Sequence, residues 1–178
     1  ALCDLSGRNL KAAQDQVNQA YKDQACRTYV HFQDLLARSD IDAVLIATPD
    51  HWHVPVALAA ARAGKDIYLE KPMGLTVEED RLLRRVVQQK KRIFQFGTQQ
   101  RSGEQFRLAC ELVRNGRIGK LQQINVWGPA SRPGGSTKPA PVPSDLQYDL
   151  WLGPAPATPY TDGKCYDDDP PGTWKTWW

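Results

Sequence analysis

An unbroken apolar run, Ala43-Val44-Leu45-Ile46-Ala47, stands between Asp42 and the pair Thr48-Pro49, and it constrains the fold more than any other feature of the chain. A strand with no polar side suits a parallel sheet covered by helices on each face. The flanks repeat the theme. Residues 1–4 read as a strand ending in the carboxylate of Asp4, after which Ser6 is a helix cap and Leu10, Ala13, Val17 and Ala20 recur at helical spacing. A short strand near residues 27–30 precedes a helix marked by Phe32, Leu35 and Leu36.

Beyond the apolar run, Asp50 caps a helix that tolerates Pro55 in its first turn and stops near Gly64, with Val54, Ala57, Leu58 and Ala61 as its buried stripe. Ile67-Tyr68-Leu69 then runs as a strand into Glu70-Lys71-Pro72. Thr76 and Glu79 make a capping box for a helix with Leu82, Leu83, Val86 and Val87 inward. Lys90, Lys91 and Arg92 sit at its end, where cations offset the helix dipole. A strand at 93–96 and a helix lined by Phe106, Cys110 and Val113, stopped by Asn115-Gly116, complete the series. Strands and helices that alternate through about residue 116 predict an α/β fold with a doubly wound, parallel, Rossmann-like sheet.

The pattern then changes. Ile124 and Val126 alternate with Gln123 and Asn125, as in an antiparallel strand with one wet face. This places a boundary between residues 1–118 and an α+β second domain beginning at Gly119. Residues 128–172 are rich in Pro and Gly and read as a long ordered arm, a kind of segment that often carries function. Its Tyr148, Leu150, Trp151, Leu152, Tyr160 and Tyr166 need partners. Core filling is preferred to sugar stacking for Trp151, Trp174, Trp177 and Trp178. Asp167-Asp168-Asp169 lacks the alternating spacing of a calcium loop and reads as a solvated turn.

Composition removes several function classes. A net charge of +3 spread over many segments makes no nucleic-acid footprint. No apolar run approaches the roughly 20 residues of a membrane span. The four cysteines have no metal-type spacing, and three histidines make a multi-His metal site improbable, so no metal is expected. The thiols are expected to be reduced, two of them in core-like surroundings, although pairing in an oxidising compartment stays open.

Ligands of doubly wound sheets bind beyond the carboxyl ends of the strands. Four such ends carry reactive or polar groups: Asp4; Thr48-Pro49-Asp50 followed by His51 and His53; Glu70-Lys71-Pro72; and Gln99-Gln100-Arg101. The set Thr48-Pro49-Asp50-His51-Trp52-His53, Gly64-Lys65, Glu70-Lys71-Pro72, Gly97, Arg101 and Gly116 to Leu121, in that order, resembles the Gfo/Idh/MocA family over roughly residues 1–127.

That resemblance implies an NAD(P)-dependent oxidoreductase that moves a hydride between a sugar or polyol hydroxyl and its cofactor. It implies that Asp4 holds the adenosine ribose, favouring NAD because a carboxylate repels a 2′-phosphate; Arg8 or the Ser6 hydroxyl could soften this toward NADP. Thr48, Pro49 and His53 would lie along the cofactor, whereas His51 is expected at the surface or as a cap. Lys71 would be catalytic, orienting the substrate hydroxyl and stabilising alkoxide-like charge. Pro72 keeps Lys71 out of helical conformation, and the family often has this peptide cis. Glu70 would contact cofactor or act as a local partner of Lys71, and Arg101 is divided between nicotinamide or substrate contact and a salt bridge between domains.

By the same resemblance the chain lacks the Gly-rich pyrophosphate turn and the first, central strand, and the acid/base region lies beyond Trp178. The parent protein is then a homo-oligomer with a small-molecule sugar or polyol partner. Its compartment is cytoplasmic by default, or periplasmic if an export signal precedes the chain. Two alternatives stand beside the dehydrogenase: a glycosidase that cleaves by transient oxidation with retained NAD, and a nucleotide-binding sugar-pathway regulator without turnover.

Overall fold

A computed structural model describes residues 1–128 and 136–165. The elements of the first part follow the expected alternation: β1 (Leu2–Cys3), α1 (Gly7–Tyr21), β2 (Thr28–Tyr29), α2 (Phe32–Leu36), β3 (Ala43–Ile46), α3 (Asp50–Arg62), β4 (Asp66–Glu70), α4 (Val77–Lys90), β5 (Phe94–Gly97) and α5 (Glu104–Arg114). Their ends have local causes. Ser6 Oγ accepts from the Asn9 amide to cap α1, and Thr76 and Glu79 form the reciprocal capping box of α4. Gly64 follows α3 at φ +79°, a conformation that costs glycine little. Pro49, rather than Asp50, occupies the cap position of α3, and Asp50 becomes a first-turn acid.

All strand pairs are parallel, but the expected continuous sheet is divided. β3, β4 and β5 form one sheet, with Ile46 opposite Leu69 and Leu69 opposite Phe96, while β1 pairs with β2 alone. Between them runs a slot of about 1000 Å³, lined by residues that include Leu2, Cys3 and Asp4 on one side and 43–47 on the other. It lies at the position expected for a central strand.

The core sits on one face of β3–β5. Ala57, Ala60 and Ala61 of α3 are fully buried, and their small side chains let the helix approach the sheet and α4 closely. Leu69 and Leu83 are the largest apolar side chains closed off from solvent, each contributing about 2 kcal/mol of burial. The opposite face differs from expectation. Leu45 is 70% exposed, so the apolar run of β3 is covered on one side only among the described residues.

Two other apolar patterns also lack partners among the described residues. α5 forms where expected, yet none of its residues is buried. Residues 121–128 are not a strand, and Ile124 and Val126 are exposed. A strand needs a ladder partner for its backbone groups, and no described segment supplies one.

The arm is ordered around its own small core of Leu146, Tyr148, Leu152 and Tyr160, with α6 (Tyr148–Leu152) at its centre. The buried Lys164 ammonium donates to the Tyr148 hydroxyl at 2.7 Å and to Thr158 Oγ1, which keeps its charge from being stranded. Trp151 stacks against Tyr148, as the core-filling expectation required. Trp174, Trp177, Trp178, Tyr166 and the Asp167–Asp169 run lie outside the described residues.

Candidate active site

The carboxyl ends of β1, β3 and β4 open onto two adjoining hollows. The slot between the sheets carries Asp4, Thr48 and Pro49 on its lining. A smaller cavity of about 250 Å³ is lined by Ala47, Thr48, Asp50, His53, Glu70, Lys71 and Pro72. Ala47 and Thr48 line both, so the two hollows adjoin at the tip of β3.

At the Lys71 end the geometry is set by neighbouring loops. The Lys71–Pro72 peptide is cis, as the resemblance implied. The Lys71 side chain is exposed, and its ammonium makes no hydrogen bond or ion pair among the described residues. Glu70 bonds locally, its Oε2 accepting from the Lys71 amide at 3.3 Å. β5 approaches closely here: a Cβ on Gly97 would lie 3.0 Å from the Leu69 carbonyl oxygen and 3.2 Å from Glu70 Cδ, so only glycine lets these strand tips meet without displacement.

His53 works behind this surface. It is 1% exposed, and its Nδ1 and Nε2 face the carbonyl oxygens of Pro72 and Thr48 at 2.5 and 2.8 Å. Both ring nitrogens thus meet backbone on the segments that leave β3 and β4, and His53 also lines the smaller cavity. Thr48 Oγ1 is buried with no partner among the described residues, a polar atom where the two hollows adjoin that a ligand could satisfy.

At the Asp4 end, Oδ1 accepts from the Ser6 amide at 2.8 Å, which fixes the carboxylate at the strand tip. Burial raises its pKa above the ordinary carboxylate value, against the lowering effect of the Ser6 and Leu5 amides. Burial first, then the charges of Asp4 and Asp34, push the neighbouring Cys3 thiol up to about 11. This end of the site therefore sets a carboxylate beside a thiol at the strand tip.

Arg101 lies on a short 3-10 turn, Gln99–Ser102, beyond β5, exposed and outside the lining of either hollow. Asp4, Thr48, Pro49, His53, Glu70 and Lys71 are brought together; Arg101 is not.

The arm supplies contacts that no periodicity announced. The Gly7 amide donates to the Asp145 carbonyl at 2.7 Å and the Gln147 amide to the Leu5 carbonyl at 3.0 Å, clipping the arm to the tip of β1. Trp52 Nε1 donates to the Leu150 and Trp151 carbonyls, and His51 Nε2 to the Trp151 carbonyl at 2.8 Å. His51 is 3% exposed, so the surface placement expected for it is corrected: it is a joint between α3 and the arm. Gly153 permits that joint, since it has φ +50° and a Cβ there would meet the Trp52 ring at 2.2 Å.

A family model described as an oxidoreductase family with an NAD-binding Rossmann fold matches residues 2–98, and a companion for the C-terminal alpha/beta domain matches residues 127–176. Among curated relatives, a glycosyl hydrolase family 109 protein of Shewanella baltica is 40% identical over 92 residues, covering 43% of this chain and 20% of that protein. The alpha-N-acetylgalactosaminidase of Shewanella oneidensis is 38% identical over 92 residues with the same coverage. Scyllo-inositol dehydrogenase from Lactobacillus casei, solved with NAD(H) and scyllo-inositol, aligns with TM-score 0.58 and 30% identity over 66% of this chain and 33% of that one. The chain thus spans about a fifth of the curated relatives and a third of the solved one. A split parallel sheet with its polar groups gathered at the carboxyl edge, and a family match across more than half its length, make this chain a member of the Gfo/Idh/MocA oxidoreductase family, whose Rossmann fold binds NAD.

Proposed function

We propose that this chain forms the cofactor-side part of an NAD-dependent dehydrogenase acting on a secondary hydroxyl of a sugar or cyclitol. The observation that carries the reading is the row of parallel strand tips that carries Asp4 after β1, Thr48 after β3 and Lys71 after β4. The donors and acceptors along it suit a dinucleotide. Asp4 is an acceptor for ribose hydroxyls, the partnerless Thr48 Oγ1 offers a hydrogen bond midway, and the Lys71 ammonium is available at the far end. NAD, when bound, supplies the hydride acceptor. Lys71 would orient the substrate hydroxyl and hold the negative charge that grows on its oxygen. Glu70 and Pro49 shape the walls, and His53 acts through Thr48 and Pro72 as a positioning residue. In this reading, residues 1–118 form the cofactor domain, residues 119–178 begin a substrate domain, and the full-length protein is a homo-oligomer.

The test is NADH formation by the full-length protein across a panel of sugars and cyclitols. Turnover on at least one of them is expected; no NADH and no bound nucleotide across the panel would overturn the reading. The identity to glycosyl hydrolase family 109 proteins favours one second reading, glycoside cleavage with NAD retained through an oxidation–reduction cycle. That activity would release an aglycone from a chromogenic N-acetylgalactosaminide with no net NADH.

A further inference from the structure

We infer that Asp145, contributed by the arm, is a specificity-determining residue that turns the ribose end of the site against a 2′-phosphate and so selects NAD over NADP. The inference rests on the reading above that Asp4 holds the adenosine ribose. A phosphate on that ribose would seek two things at the start of α1: a free backbone amide and a guanidinium. Both are at hand, and Asp145 engages both. Its Oδ2 accepts from the Arg8 amide at 3.3 Å and from Arg8 Nε at 3.3 Å. The remaining first-turn donor, the Asn9 amide, is taken by Ser6 Oγ.

The placement of Asp145 is enforced by backbone. Its carbonyl accepts from the Gly7 amide, Gln147 bonds back to Leu5, and Ser6 bridges Leu146. A Cβ on Gly7 would stand 3.4 Å from Asp145 Cβ, so the arm lies directly against the first residue of α1. The carboxylate therefore adds a further negative charge to a strand tip that already carries Asp4, with Asp34 near enough to act on Cys3. A 2′-phosphate would have to displace Asp145 from Arg8 and approach these carboxylates, whereas a 2′-hydroxyl meets only an acceptor in Asp4.

The Arg8–Asp145 pair is partly open, with side chains 46% and 35% exposed, which bounds its strength to that of a surface ion pair. The expected change on releasing it is accordingly about two- to fivefold in the NAD/NADP affinity ratio rather than orders of magnitude.

Calorimetric binding of NAD and of NADP to the full-length protein tests this, using Asp145→Asn, Asp145→Ala, Arg8→Ala and Asp4→Ala. The Asn variant keeps the size and the backbone clip of the native residue, and a melting curve checks that it folds. Tighter NADP binding in both Asp145 variants, with NAD changed little and the gain abolished when Arg8→Ala is added, supports the inference. Unchanged NADP affinity in Asp145→Asn, while Asp4→Ala weakens NAD, overturns it and leaves the ribose reading standing. NAD affinity indifferent to Asp4→Ala overturns both.

Discussion

The two ends of the site are built on different principles. The Lys71 end is local: residues 48–53 and 70–72 leave adjacent strands, and one buried imidazole ties their carbonyls together. The Asp4 end is assembled at long range, by an arm residue, Asp145, that lies 137 positions from its partner Arg8. The first end inherits its rigidity from the α3–β4–α4 core. The second depends on a clip of a few hydrogen bonds. Catalysis can therefore be precise at one end while cofactor choice at the other stays adjustable.

That contrast can be broken at either end. Lys71→Ala should lower turnover by a factor of about 10² to 10³ with NAD affinity nearly unchanged, because the lost ammonium stabilises charge present only as the hydride leaves. Steady-state kinetics beside calorimetric binding would show the split, and a pure binder would lose nothing.

His53→Ala should cost about 2–4 kcal/mol of stability, from a cavity and two stranded carbonyls, read as an earlier urea midpoint. Gly153→Ala should cost about 1–2 kcal/mol, locally, because the Trp52 clash and the φ +50° backbone both resist a side chain. Faster hydrogen exchange at the Gly7 and Gln147 amides, with the strand amides of β4 protected as before, is its signature.

The smallest effect is a pH dependence. Burial raises the Asp4 pKa, so the folded state favours its protonated form. The stability this contributes is fully present below the ordinary carboxylate pKa and is lost as pH rises through the raised value. NAD affinity should run the other way, weakening as pH falls through that same value, since the ionised carboxylate is the better acceptor for the ribose. Asp4→Asn should flatten both profiles in paired melting and binding titrations.

The contrast also marks what the sequence could disclose. Capping by Ser6 and by Thr76 with Glu79, the stop at Gly64, and the polar groups at the tips of β1, β3 and β4 are local chemistry, and they were legible. The apolar faces of β3 and α5 were legible as faces, but periodicity says which side seeks cover and not whether a partner lies there; Leu45 shows the difference. The alternation of Ile124 and Val126 misled for the same reason. His51 and Asp145 were illegible because their partners, Trp151 and Arg8, are joined to them only by the folded arm. Gly97 stood in the family pattern, and only its contact with Glu70 shows why.

The most direct measurement is a crystal structure of the full-length protein with NAD. The account predicts ribose hydroxyls within hydrogen-bonding distance of the Asp4 carboxylate and the nicotinamide beside the Lys71 ammonium, with the dinucleotide passing Thr48 between them. A cofactor bound away from Asp4, or lying with its nicotinamide remote from Lys71, would contradict it.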